Sequence, residues 1–131
     1  MRLPAVEFET RILIVDQDRA VGLALSFMLA ARRYDDVRAV RSAERAMAIA
    51  GQFRPGIVFL DLELPDSGSV VGALRLAQDP GQTRPRLIAL TKDAGHPMRE
   101  HPRLAGFERL LVKPVSHADL DKILDMGRTA T

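Results

Sequence analysis

Residues 57–61 read Ile57-Val58-Phe59-Leu60-Asp61, a continuous apolar run that ends at a carboxylate. Continuous runs of aliphatic and β-branched residues of this length are typical of strands that are buried on both faces of a sheet. Three more apolar runs end at a polar side chain in the same way: residues 12–15 before Asp16, residues 87–90 before Thr91, and residues 110–112 before Lys113. A further segment, residues 37–40, alternates apolar residues with arginine and predicts an exposed edge strand.

The segments between these runs carry helical patterns. Apolar residues recur at helical spacing in residues 21–28, 43–50, 70–77 and 120–124. The expected helix stops are Gly51, Pro80-Gly81 and Gly127, and residues 116–119 have the pattern of an N-terminal capping box. Residues 95–106 contain two prolines and few apolar side chains, so we expect a helix of only one or two turns there.

Strands that alternate with helices at this spacing predict right-handed βαβ units and a parallel sheet with helices on both faces. The sequence therefore predicts an α/β, doubly wound domain with five strands and five helices. We expect one domain over residues 1–131, with its core at about residues 10–126.

Composition excludes several classes of site. With 47% hydrophobic and 27% charged residues, the 131-residue chain has the profile of a soluble globular domain. The absence of cysteine excludes disulfides, thiolate zinc sites and cysteine nucleophiles, and His96, His101 and His117 are too few and too badly spaced for a metal cluster. A net charge of +2 with six aromatic residues argues against nucleic-acid binding, and no apolar run suggests a membrane span or a secretory signal. A cytoplasmic location is therefore expected.

The polar residues that end the strands form the candidate site. The carboxyl ends of parallel strands meet at one edge of a sheet, which would gather Asp16, Asp61, Thr91 and Lys113. Two carboxylates on adjacent strands, about 5 Å apart, repel by roughly 4 kcal/mol at an effective dielectric of 20, and Mg²⁺ would relieve this repulsion. Carboxylates, a hydroxyl and an ammonium together suit phosphoryl transfer. Each residue alone could equally be a helix N-cap, a turn residue or a solvated strand end.

The order of these motifs resembles the response-regulator receiver domain, the aspartate-phosphorylated partner of histidine kinases. The likeness runs from about Thr10 to Met126 and rests on residues 12–16, 59–65, 90–91 and 111–114. The resemblance implies a flavodoxin-like sheet in the strand order 2-1-3-4-5. It also implies a stand-alone receiver that signals by phosphorylation-dependent protein contacts and is not an enzyme beyond its own phosphorylation. The implied partners are a histidine kinase or histidine phosphotransfer protein and a downstream protein target, without nucleic acid or membrane. The oligomeric state stays open.

The resemblance also implies roles for single residues. Asp61 would accept the phosphoryl group, the Thr91 hydroxyl would bind it, and Lys113 would pair with its charge. Asp16, Asp61 and the backbone carbonyl of Glu63 would hold Mg²⁺. The resemblance also implies a cis bond between Lys113 and the following proline, which is plausible because cis peptide bonds are almost confined to proline.

Three positions depart from the family pattern. The family has a second acid after the first, whereas this chain has Gln17, which could offer a carbonyl oxygen to the metal but no charge. Asp18 follows as a partial replacement for that acid. The loop after Asp61 has its glycine, Gly68, one position early, and Leu110 replaces the family's switch aromatic. In the family, the ring at this position swings inward on activation, and leucine has no ring. We therefore expect activation to change the order of residues 92–109 more than the orientation of Leu110.

Two alternative functions remain at this stage. The first is a degenerate receiver that acts only as a protein-interaction module, because Gln17 weakens the metal site. The second is a haloacid-dehalogenase-type phosphatase, for which Asp16-Gln17-Asp18 would be the Asp-x-Asp nucleophile motif and Thr91 and Lys113 the later motifs. That enzyme class needs an acidic pair on a later strand end, which the sequence lacks, and it leaves Asp61 without a role.

Overall fold

The computed structural model describes residues 10–76 and 84–129 and is built around a five-stranded parallel sheet. The strands are β1 (Ile12–Val15), β2 (Val37–Val40), β3 (Ile57–Asp61), β4 (Arg86–Thr91) and β5 (Arg109–Val112). Their order in the sheet is β2-β1-β3-β4-β5, and every neighbouring pair is parallel. This confirms the predicted flavodoxin-like order 2-1-3-4-5.

The described residues contain four α-helices: α1 (Arg19–Ala31), α2 (Ala43–Phe53), α3 (Ser67–Leu76) and α4 (His117–Thr129). The first three connect successive strands, and α4 follows β5. The prediction of five helices is therefore wrong by one. Residues 92–108, all of which are described, form two short 3₁₀ helices, Pro97–Arg99 and Pro102–Ala105, between β4 and β5. Each begins at a proline, which starts a helical turn well but cannot continue one, and neither contains a buried residue. None of the helices in these ranges combines the length and apolar character needed to cross a bilayer.

Two expected helix stops are also wrong. α2 passes Gly51 and ends at Phe53, whose ring is buried, and Arg54 then takes the left-handed conformation with φ 49°. α4 passes Gly127, because one glycine costs a helix only about 1 kcal/mol and does not by itself end it. The stop expected at Pro80-Gly81 lies outside the described residues. The cap at Ser116 is present: its hydroxyl accepts the Asp119 N–H at 3.0 Å.

The core consists of two layers, one on each face of the sheet. Alternate residues of the inner strands point to opposite faces, so Leu13, Val58 and Ala89 pack with α2 and α3. Their chain neighbours Ile14 and Phe59 pack on the other face with α1 and α4. Both Val37 and Val40 at the ends of β2 are half-buried while its middle residues are exposed, which confirms the predicted edge strand.

A side-chain clamp ties the amino end of β4 to its neighbours. The Arg86 guanidinium donates to both carboxylate oxygens of Glu108, at 3.0 and 2.7 Å, and to the backbone carbonyl of Ile123 at 2.6 Å. Glu108 immediately precedes β5 and Ile123 belongs to α4. One half-buried arginine therefore fixes β5 and α4 against β4, opposite the edge where the strands end.

Candidate functional site

The structure brings together the four residues that end the strands. Asp16 follows β1, Asp61 and Thr91 are the last residues of β3 and β4, and Lys113 follows β5. Asp61 and Thr91 are fully buried, and only 2% of Asp16 is exposed. Three polar side chains buried at one sheet edge need hydrogen-bond partners elsewhere in the protein, because water reaches them little.

Lys113 joins the two carboxylates. Its ammonium lies 2.9 Å from Asp16 Oδ2 and 3.3 Å from Asp61 Oδ1, with only 6% of its side chain exposed. The backbone N–H of Lys113 donates to the Thr91 carbonyl at 2.7 Å, and the bond to Pro114 is cis, as expected. Burial alone would lower the pKa of Lys113, but the hydrogen bond and charge of Asp16, together with Asp61, hold that pKa above its ordinary value.

Asp16 is held on both oxygens. Oδ2 accepts the Lys113 ammonium, and Oδ1 accepts the backbone N–H of Asp18 at 2.8 Å. Burial raises the pKa of Asp16 above its ordinary value, and the negative charge of Asp61 adds to this, while the hydrogen bonds from Lys113 and Asp18 oppose it. The repulsion expected between the two carboxylates is therefore present, and Lys113 relieves part of it.

Asp61 has one free oxygen. Its Oδ1 accepts the backbone N–H of Glu63 at 3.0 Å and faces the Lys113 ammonium. Its Oδ2 is buried and has no hydrogen-bond partner among the described residues. A buried carboxylate oxygen without a donor is costly, so this atom marks a position built for a group that comes from outside the chain.

The side chain of Glu63 has contacts that the sequence analysis missed. One carboxylate oxygen accepts the Thr91 hydroxyl at 2.9 Å, and the other accepts the backbone N–H of Lys92 at 2.7 Å. The Thr91 hydroxyl oxygen in turn accepts the N–H of Asp93 at 3.0 Å. The resemblance implies a role only for the backbone carbonyl of Glu63. The sequence signal for its side chain is an acid two residues after the acid that ends β3.

Gln17 and Asp18 are exposed beside this cluster. As placed, the Gln17 side-chain amide donates to the Glu63 carbonyl at 3.4 Å, so its own oxygen would have to turn to face a cation. Asp18 is the N-cap of α1, and its carboxylate accepts the Ala20 N–H at 2.9 Å. One carboxylate oxygen of Asp18 is thus engaged in capping the helix.

The residues at the carboxyl ends of the strands offer few charged ligands to a hard divalent cation. The described residues contain no group of three or more acidic or histidine side chains placed to hold a metal. Mg²⁺, however, keeps several waters and needs only one or two carboxylates. Oxygen ligands of the right kind would come from the carboxylates of Asp16 and Asp61 and from the Glu63 carbonyl.

The two other departures have structural explanations. The left-handed residue of the loop after Asp61 is Asp66, with φ 63°, and its carbonyl accepts the Ser69 N–H at 3.0 Å. Gly68 lies inside α3, and a Cβ there would meet open space, so the loop does not require that glycine. Leu110 is half-buried and packs against the core layer that faces α2 and α3. It is a core side chain in this structure.

Comparison with known proteins agrees with this architecture. The family model of the response regulator receiver domain matches residues 12–125. The transcriptional regulatory protein PdtaR of Mycobacterium tuberculosis is 26% identical over 122 residues, which cover 89% of this chain and 56% of PdtaR. The chain therefore spans about half the length of this relative.

Solved structures of receiver domains share the fold. The CheY-like receiver domain from Methylobacillus flagellatus is 26% identical with a TM-score of 0.73, over 89% of this chain and 97% of that domain. The receiver domain of the sensor histidine kinase PA1611 from Pseudomonas aeruginosa PAO1 is also 26% identical, with a TM-score of 0.70 over 89% and 95%. That structure has a magnesium ion coordinated in its active-site cleft. With the sheet order in place and residues 12–125 matched, the chain belongs to the response regulator receiver domain family.

Proposed function

We propose that this chain accepts a phosphoryl group on Asp61 from a phosphohistidine of a histidine kinase or a histidine phosphotransfer protein. It then signals through protein contacts that depend on the phosphorylated state. The observation that carries the proposal is the buried Oδ2 of Asp61, which has no donor among the described residues while Oδ1 is held by Lys113 and the Glu63 N–H. One oxygen is fixed and the other is free to attack.

The chemistry follows from these contacts. Oδ2 of Asp61 attacks phosphorus, the P–N bond of the phosphohistidine breaks, and its electron pair returns to the imidazole nitrogen. The product is an acyl phosphate on Asp61. Lys113 holds Oδ1 and keeps positive charge beside the reacting carboxylate. The Thr91 hydroxyl, at the end of the neighbouring strand, donates to an oxygen of the transferred group.

Magnesium fits this proposal, as in the PA1611 receiver. Asp16, Asp61 and the Glu63 carbonyl would hold the ion, which supplies positive charge to the phosphoryl oxygens when bound. Gln17 sits beside these ligands and contributes no charge.

The test is intact-mass measurement after incubation with acetyl phosphate and magnesium. We expect the wild-type chain to gain one phosphoryl group and Asp61→Asn to gain none, because the amide is not a nucleophile. Asp66→Asn, which removes a carboxylate from the same loop, is the control and should be labelled as the wild type is. Labelling of the Asp61→Asn protein would contradict the assignment of the acceptor. No labelling of any variant would favour a receiver that acts only through protein contacts.

The substitution Gln17→Asp should tighten magnesium binding about tenfold or more. It adds a carboxylate beside Asp16 and Asp61, and a tenfold change in affinity corresponds to about 1.4 kcal/mol, a modest gain for a charged ligand. Titration of the apoprotein with magnesium measures the change. Gln17→Asn is the control, because it shortens the side chain without adding charge. Its magnesium affinity should stay below that of the wild type. Equal affinities of the Gln17→Asp and wild-type proteins would mean that another group already supplies the missing charge.

A further inference from the structure

The carboxylate of Glu63 occupies two donors next to Asp61. The Thr91 hydroxyl and the Lys92 backbone N–H lie at consecutive residues at the end of β4, and each donates to a different oxygen of this one carboxylate, at 2.9 and 2.7 Å. Hydrogen bonds to a carboxylate are stronger than those between neutral groups. A pair of converging donors of this kind forms a small anion site. The anion that occupies it is the chain's own Glu63 carboxylate.

An incoming phosphoryl group would need the same donors. A hydroxyl has one hydrogen, so Thr91 cannot donate to Glu63 and to a phosphoryl oxygen at the same time. The phosphoryl group and the Glu63 carboxylate are also both negative, so sharing the two donors would be opposed by repulsion as well as by hydrogen-bond count. One of the two anions must leave when the other is present.

Resting on the proposed function, we propose that the Glu63 side chain is an internal competitor for the phosphoryl position and holds the unphosphorylated state. Glu63 is exposed, so its side chain can turn into solvent when the phosphoryl group arrives. Its backbone carbonyl, the expected magnesium ligand, does not depend on the side chain. Glu63 is thus a positioning residue that acts through Thr91 and Lys92.

Binding of beryllofluoride, a phosphoryl mimic, with magnesium tests the competition. We expect Glu63→Ala to lower the apparent Kd about fivefold or more, since the mimic no longer displaces a charged acceptor. Glu63→Gln keeps an acceptor without charge and should lie between Glu63→Ala and the wild type. The control is Asp66→Asn, which removes one charge from the same loop. Asp66 has a left-handed backbone conformation, which asparagine also tolerates. Its apparent Kd should stay within about twofold of the wild type.

A second background separates competition from simple repulsion. A Thr91→Ala protein lacks the hydroxyl that donates to Glu63. Adding Glu63→Ala to it should therefore increase the affinity for beryllofluoride less than Glu63→Ala does in the wild-type background. Equal gains in both backgrounds would overturn the proposal, because they would show that the charge of Glu63 acts without Thr91.

Amide hydrogen exchange of Lys92 in the metal-free protein is an independent readout. The amide should be protected in the wild type and exchange faster in Glu63→Ala; unchanged exchange would overturn the proposal. Failure of the proposed function looks different: neither the wild type nor the Glu63 variants would bind beryllofluoride, and Asp61 would stay unlabelled.

Discussion

Replacing Lys113 with methionine should lower the free energy of unfolding at pH 7 by about 3–5 kcal/mol. The ammonium is buried and lies within 3.3 Å of both Asp16 and Asp61, so its loss leaves two buried carboxylates facing each other with no cation between them. Urea denaturation measures the change. Phosphorylation by acetyl phosphate should also fall, because positive charge beside the reacting carboxylate is lost.

The cause can be checked by removing the repulsion. Adding Asp61→Asn to Lys113→Met should restore much of the lost stability, because only one buried carboxylate then remains. Lys122→Met, at an exposed position of α4, is the matched control and should change stability by less than about 0.5 kcal/mol. A loss below about 1 kcal/mol in Lys113→Met would show that the carboxylates do not depend on the ammonium.

The pH dependence of this effect has a definite sign. The pKa of Lys113 is raised in the folded protein, so its contribution to stability is complete below its ordinary pKa of 10.5 and is lost as the pH rises through the raised value. In Lys113→Met this loss at alkaline pH should be absent. The raised pKa of Asp16 acts in the same direction in the acid range: between its ordinary value of 3.8 and its raised value, stability falls as the pH rises.

The second large effect is expected from the clamp at the other end of the sheet. Arg86→Met should lower the free energy of unfolding by about 2–3 kcal/mol, because Glu108 and the Ile123 carbonyl both lose a charged donor at a half-buried position. Arg86→Lys should recover only part of this, since an ammonium cannot reproduce the two parallel hydrogen bonds.

Arg84→Met provides the control for Arg86→Met. It removes the same type of side chain two residues away at an exposed position, and should leave stability within about 0.5 kcal/mol. Under conditions in which Arg86→Met is folded, it should incorporate as much phosphoryl label from acetyl phosphate as the wild type does. If Arg86→Met and Arg84→Met unfold at the same urea concentration, the clamp contributes nothing to the fold.

The sequence predicts the sheet because its signals are local. A run such as residues 57–60 is typical of a strand that is buried on both faces, and the alternation of such runs with helical segments then leaves few topologies open. The edge shared by Asp16 and Asp61 follows from the parallel arrangement alone. These inferences need no knowledge of which side chains touch.

The features that the sequence analysis missed depend on contacts between distant residues. Arg86 and Glu108 are 22 positions apart, and no periodicity connects them. The Glu63 carboxylate reaches Thr91 across 28 positions, and only the assembled sheet shows that they meet. The length of α2 differs from the prediction for a similar reason: burial of Phe53 extends the helix past a glycine that would end it on local grounds.

The two edge strands also affect how copies of this chain meet in concentrated solution. β2 exposes Arg38, whose guanidinium lies over the ring of Phe53 at 4.9 Å, and β5 begins with the exposed Arg109. An open strand edge is a template for adding another strand, and that is how many sheets aggregate. Two copies aligned edge to edge would bring guanidinium groups of like charge together while removing water from them. Aggregation by strand addition is therefore opposed at both sides of the sheet.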